Sequence, residues 1–91
     1  TKTLAVEWGS KYGICVNAIA PGPIEHTGGS EKLTLSEDAR QETIDNVPVG
    51  RMGQPEEIAG LAHFLFSDEA AYINGECITM DGGAWLNRNP F

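Results

Sequence analysis

Three observations predict an α/β fold built on a parallel sheet. Residues 14–20 and 76–81 read as strands. A strongly helical pattern with clear start signals lies between them. The first stretch is almost continuously apolar, the pattern of a strand covered on both faces. Strands joined through helices pair in parallel, because a crossover of this length reverses the chain twice.

Each element has a local reason. Residues 3–12 read as the end of a helix: Leu4, Val6 and Trp8 give apolar bulk, and Lys11-Tyr12-Gly13 is a stop signal with Gly13 suited to a left-handed cap. No N-cap precedes this helix, and the chain opens at Thr1, so a segment of a longer protein is expected. In the strand that follows, Asn17 is the one polar residue, and Pro21, which cannot donate to a ladder, ends it. Residues 21–35 read as a long loop. Ser36 is a candidate N-cap, with Glu37 and Asp38 placed for the helix dipole. That helix runs to about residue 47, with Ala39, Thr43, Ile44 and Val47 on one side, before Pro48 breaks it. Gln54-Pro55-Glu56-Glu57 is the strongest helix start in the chain. Ile58, Leu61, Ala62, Leu65 and Phe66 then form an apolar stripe. Ser67-Asp68 begins a short further turn through Ala71, Asn74-Gly75 is a turn, and the second strand ends in Gly82-Gly83. The tail, residues 84–91, shows no periodicity.

The totals set limits. Ninety-one residues make at most one small domain. Thirteen acidic against six basic residues give a net charge of −7, which argues against a nucleic-acid partner. Cys15 and Cys77 lie in the apolar stretches and read as buried thiols of a reducing cytoplasm, without metal-ligand spacing. No apolar run reaches the roughly 18 residues of a membrane span.

In open parallel sheets, ligands bind beyond the carboxyl ends of the strands. The Pro21-Gly22-Pro23-Ile24 turn occupies that place, with the Ile24 amide and the Thr27 hydroxyl near by. From chemistry alone, a rigid strand-to-loop turn without a ligand is the favoured reading. His63 reads as a surface or subunit-contact residue, Asp81 as part of a strand-terminating turn, and Asn17 as structural.

The motifs also carry a resemblance. Val16-Asn17-Ala18-Ile19-Ala20-Pro21-Gly22, then Gly50-Arg51-Met52-Gly53-Gln54-Pro55-Glu56-Glu57-Ile58-Ala59, Tyr72-Ile73-Asn74-Gly75 and Asp81-Gly82-Gly83 follow one another in the order of the C-terminal third of a short-chain dehydrogenase/reductase. Within that family, Pro21-Gly22-Pro23-Ile24 with Gly28, Ala70 to Gly75 and the Asn89-Pro90-Phe91 end are similar to the bacterial 2,4-dienoyl-CoA reductases. The resemblance implies that residues 1–91 are the C-terminal portion of one domain. They would supply the last two strands and crossover helices of a Rossmann-like, doubly wound parallel sheet, without its N-terminal cofactor-binding and catalytic part.

It further implies a parent enzyme that passes a hydride from NADPH, or else NADH, to a 2,4-dienoyl-CoA thioester. Pro21, Gly22, Pro23, Ile24 and Thr27 would bind the cofactor and Lys32 the phosphates of an acyl-CoA substrate. The parent would be a cytoplasmic homotetramer, assembled through the C-terminal helices and last strand. A 3-oxoacyl-ACP reductase and a sugar dehydrogenase are the alternatives, and a non-catalytic assembly fragment is a reading of a different class. The family's usual threonine falls at His26, one residue before Thr27, which leaves open which of the two faces the cofactor. Neither Tyr12 nor Tyr72 has a lysine four residues on, so no catalytic residue is assigned. No glycine-rich G-x-G-x-x-G turn and no metal site are present in the sequence.

Overall fold

The computed structural model describes residues 1–33 and 35–88. Strands β1 (Ala18–Pro21) and β2 (Cys77–Met80) pair in parallel with Ala18 opposite Cys77 and Pro21 opposite Met80. The ladder continues past both ends: the Ala18 amide donates to Glu76 O at 2.8 Å and the Gly22 amide to Met80 O at 2.9 Å. Helix α1 (Lys2–Tyr12) precedes β1. The crossover carries α2 (Gly28–Leu33), α3 (Glu37–Asp45), α4 (Pro55–Leu65) and a 3₁₀ turn, Asp68–Ala70, and α5 (Ala84–Arg88) follows β2. The α/β class and the parallel pairing are as predicted.

Both strands are shorter than the apolar runs suggested, and two asparagines explain the first of them. The Asn74 Oδ1 accepts from the Val16 amide at 2.9 Å, and the Asn17 Oδ1 accepts from the Glu76 amide at 3.0 Å. The Asn17 Nδ2 donates to Ile73 O at 3.0 Å. Side-chain amides thus take the place of part of the ladder at residues 16 and 17, beside the backbone bond from the Gly75 amide to Val16 O at 2.9 Å. Asn74 also donates to Ala5 O at 3.0 Å, which ties α1 to the turn before β2. The structural reading of Asn17 holds.

The expectation of a first strand covered on both faces, and of two buried thiols, is corrected. Residues 18–20 are only half-buried, and Cys15 and Cys77 are exposed free thiols. Each strand has only the other as a sheet neighbour among the described residues. An apolar run predicts burial only where elements exist to cover both faces. The described core is correspondingly small: Ala5, Ile24, Val47, Met52, Ala70 and Ala84.

Helix ends follow their signals. Gly13 takes φ +65° and donates to Gly9 O at 3.1 Å. The Ser36 Oγ accepts from the Ala39 amide at 3.1 Å and caps α3. On α4, Ile58, Leu61, Ala62 and Leu65 are half-buried and the helix packs on β1, but Phe66 at its C-cap is exposed. Two helices lie where none was expected. Residues 28–33 fall within the span read as loop, and there the Glu31 amide donates to Thr27 O at 3.0 Å. Residues 84–88 fall in the unpatterned tail. Their start is held by Asp81, whose carboxylate accepts from the amides of Gly83 at 2.9 Å and Trp85 at 2.8 Å. Asp81 is therefore the turn residue the sequence indicated, and a helix start as well. The Asn89-Pro90-Phe91 end lies outside the described residues.

At the head of α4, Glu57 accepts from Arg51 at 2.7 and 3.0 Å and from the Gln54 amide at 3.0 Å. The hydrogen bonds from the Arg51 guanidinium, and then the one from Gln54, hold its carboxyl at about 2, against an ordinary 4.5. A depressed carboxylate stabilises the fold above its unfolded pKa and loses that effect as pH falls through the folded one. The acid limb of stability is therefore expected to carry a Glu57 component between 4.5 and about 2. Urea midpoints measured across that range should show a shallower limb for Glu57→Gln.

No helix among the described residues is long and apolar enough to cross a membrane.

Candidate functional site

The Pro21-Gly22-Pro23-Ile24 turn leaves β1 at its carboxyl end, held so closely that position 22 requires glycine. A Cβ on Gly22 would lie 2.4 Å from Asp81 Cβ and 2.8 Å from Asp81 Cα. One on Gly53 would lie 2.7 Å from Ile24 Cδ1. Ile24 and Gly53 form an isolated parallel bridge: the Gly53 amide donates to Pro23 O at 2.9 Å and the Glu25 amide to Gly53 O at 2.8 Å. Ile24 is buried by this contact. Among the described residues no hydrogen bond engages the Ile24 amide itself.

Beyond the turn lies an open cleft of about 500 Å³. Pro21, Gly22, Pro23, Ile24 and Thr27 line it, together with Asp81, Ala84 and Trp85. The five residues singled out from the sequence thus come together. The Thr27 Oγ1 donates to Ile24 O at 3.1 Å, which keeps the hydroxyl beside the turn. His26 adopts φ +62°, a left-handed conformation uncommon for a residue with a Cβ. It is Thr27, and not His26, that lines the cleft. The backbone of Lys32 belongs to α2; its side chain lies outside the described residues. His63 is exposed on α4.

Three residues at this site escaped the sequence reading. Trp85 gives the cleft lining an aromatic face, placed there by the Asp81 cap. Glu25 and Arg40 form a bidentate ion pair from the turn to α3: the Arg40 Nη2 donates to Glu25 Oε1, and Nη1 to Oε2 at 3.1 Å. The hydrogen bond from Arg40 outweighs desolvation and holds the Glu25 carboxyl below its ordinary range. Fifteen residues and a second helix separate the partners, so no spacing rule links them.

Chemically, the cleft joins a fixed peptide edge and a hydroxyl to an apolar floor. That set suits a planar ligand bearing an amide, whose oxygen needs a donor and whose nitrogen needs an acceptor. Among the described residues, no group of three His, Cys, Asp or Glu is placed to hold a metal ion.

Comparison with known proteins supplies a family context. A family model described as enoyl-(acyl carrier protein) reductase matches residues 1–84. A probable 2,4-dienoyl-CoA reductase, (2E)-enoyl-CoA-producing, of Bacillus subtilis is 72% identical over 91 residues, which are 100% of this chain and 36% of that protein. The solved structure of a short chain dehydrogenase from Bacillus anthracis superposes with a TM-score of 0.85 at 67% identity, covering 99% of this chain and 34% of that one. That of a putative 2-deoxy-D-gluconate 3-dehydrogenase from Agrobacterium tumefaciens, with bound NADP, gives 0.84 at 45% identity, covering 94% and 34%. The chain thus spans about a third of the length of the proteins it matches.

Proposed function

The chain belongs to the short-chain dehydrogenases/reductases, and from that premise we propose that the protein carrying it is an NADP-dependent oxidoreductase acting on 2,4-dienoyl-CoA thioesters. The observation that carries this reading is the 72% identity, over all 91 residues, to a probable 2,4-dienoyl-CoA reductase. The product would be an enoyl-CoA formed in the breakdown of unsaturated fatty acids.

The cleft fits the nicotinamide end of such a cofactor. The Ile24 amide donates to the carboxamide oxygen, and the Thr27 hydroxyl supplies a polar contact beside it. Pro21 and Pro23 keep the turn rigid, so little ordering remains when the ligand arrives. When bound, NADPH supplies the hydride; the protein positions and shields it. Lys32 pairs with a phosphate of coenzyme A. Helices α2 and α3, which pack on one another beside the turn, cover the acyl chain. The two free cysteines are in keeping with a cytoplasmic location. Exposed apolar residues on α1 and beside α4, among them Val6, Phe66 and Tyr72, support assembly of the parent as a homotetramer through α1, α4 and β2.

A second reading, a sugar dehydrogenase, is favoured by the likeness to the Agrobacterium protein. Steady-state assays of the full-length enzyme with dienoyl-CoA, 3-oxoacyl thioesters and gluconate-type sugars separate the two. The proposal expects kcat/KM to be highest for dienoyl-CoA; absence of dienoyl-CoA turnover alongside sugar oxidation would replace it with the second reading.

A further inference from the structure

The Glu25–Arg40 pair closes a ring around the lip of the cleft. Arg40 binds both carboxylate oxygens of Glu25, and its Nη1 also lies 3.7 Å from the Sδ of buried Met52. Met52 leads directly into Gly53, and Gly53 is bonded on one side to Pro23 O at 2.9 Å and on the other to the Glu25 amide at 2.8 Å. Ile24 is the residue enclosed between those two bonds. Its backbone is therefore fixed by Gly53 on one flank and by Glu25 on the other. The next residue, His26, stands at φ +62°, a conformation that persists only where its surroundings over-determine it. The Glu25 side chain is 17% and that of Arg40 37% exposed, so the pair sits at the surface and holds through its two-point geometry.

We infer that Arg40 is a positioning residue which, through Glu25 and Met52, holds the Ile24 amide at the angle a nicotinamide carboxamide requires. The inference rests on the proposed function and deepens it. A planar guanidinium suits this task, because it engages a carboxylate at two points and so fixes its direction as well as its distance. The pair also joins α3 to the turn. Movement of the helix proposed to cover the acyl chain then reaches the cofactor lip through one side chain.

Binding of two ligands to the full-length protein provides the test. NADPH carries the nicotinamide ring; 2′-phospho-ADP-ribose carries the same adenine, phosphates and ribose without it. Calorimetric titration of Arg40→Lys and Glu25→Gln, with melting temperatures measured in parallel, is expected to show NADPH affinity about tenfold weaker and 2′-phospho-ADP-ribose affinity within about twofold of wild type. Equal weakening of both ligands in both variants, or no weakening of either, overturns the positioning role. Wild-type protein that binds neither ligand overturns the proposed function itself, and the inference with it.

Discussion

Replacing Gly22 by alanine in the full-length enzyme is expected to abolish most of its cofactor affinity and to destabilise it by about 1–3 kcal/mol, the usual range for overpacking. The added Cβ would stand 2.4 Å from Asp81 Cβ and 2.8 Å from Asp81 Cα. The second contact is backbone, so no side-chain rotation relieves it. Either the end of β1 moves off β2, or Asp81 shifts. Asp81 holds the start of α5 through the amides of Gly83 and Trp85, so its displacement carries the lining residues Ala84 and Trp85 with it. The turn and the start of α5, which both line the candidate site, are disturbed by one methyl group. Gly28→Ala is the control: nothing lies within 4 Å of its added Cβ, and stability within about 0.5 kcal/mol of wild type is expected. Urea midpoints and NADPH titrations check both variants. A Gly22→Ala enzyme that binds and folds like wild type would show the close approach to be slack.

The 91 residues by themselves are expected to turn over no dienoyl-CoA and to bind NADPH weaker than the full-length enzyme by roughly two orders of magnitude or more. Two features lead there. Pyrophosphate is commonly held by a glycine-rich turn at a helix N-terminus, and this sequence has none after a strand. The described core is also too small to hold the cleft rigid: three of its six buried members are alanines, while Phe66 is 91% and Tyr72 104% exposed. Calorimetry on the isolated chain, beside the full-length enzyme, gives the comparison. Micromolar binding by the isolated chain would show that the turn of residues 21–24 needs no pyrophosphate cradle.

Much of the local architecture could be read from residue chemistry. The Gln54-Pro55-Glu56-Glu57 start, the Ser36 cap and the Gly13 stop each satisfy backbone groups at a helix end, and such needs are local. Elements whose cause is distant were harder to see. Helix α2 begins with two glycines, which weaken its signal. Helix α5 depends on Asp81, a residue that the sequence places at the end of a strand. The first strand is shortened by Asn74, fifty-eight residues from the amide it takes up. The exposed cysteines follow from the lack of covering elements, which an apolar run does not report.

The candidate site divides in the same way. Its position past the end of β1, and the grouping of Pro21, Gly22, Pro23, Ile24 and Thr27, follow from a general rule for parallel sheets. Trp85 and the Glu25–Arg40 pair reach the site only through folding, so no pattern of spacing could have shown them.

The most direct test of the central reading follows the hydride itself. Full-length enzyme is incubated with NADPH carrying deuterium at the transferred position of the nicotinamide ring, together with 2,4-dienoyl-CoA, and the thioester product is weighed by mass spectrometry. The account predicts an enoyl-CoA bearing one deuterium on carbon. Recovery of unreacted dienoyl-CoA by an enzyme that passes the deuterium to a 3-oxoacyl or sugar carbonyl would contradict it.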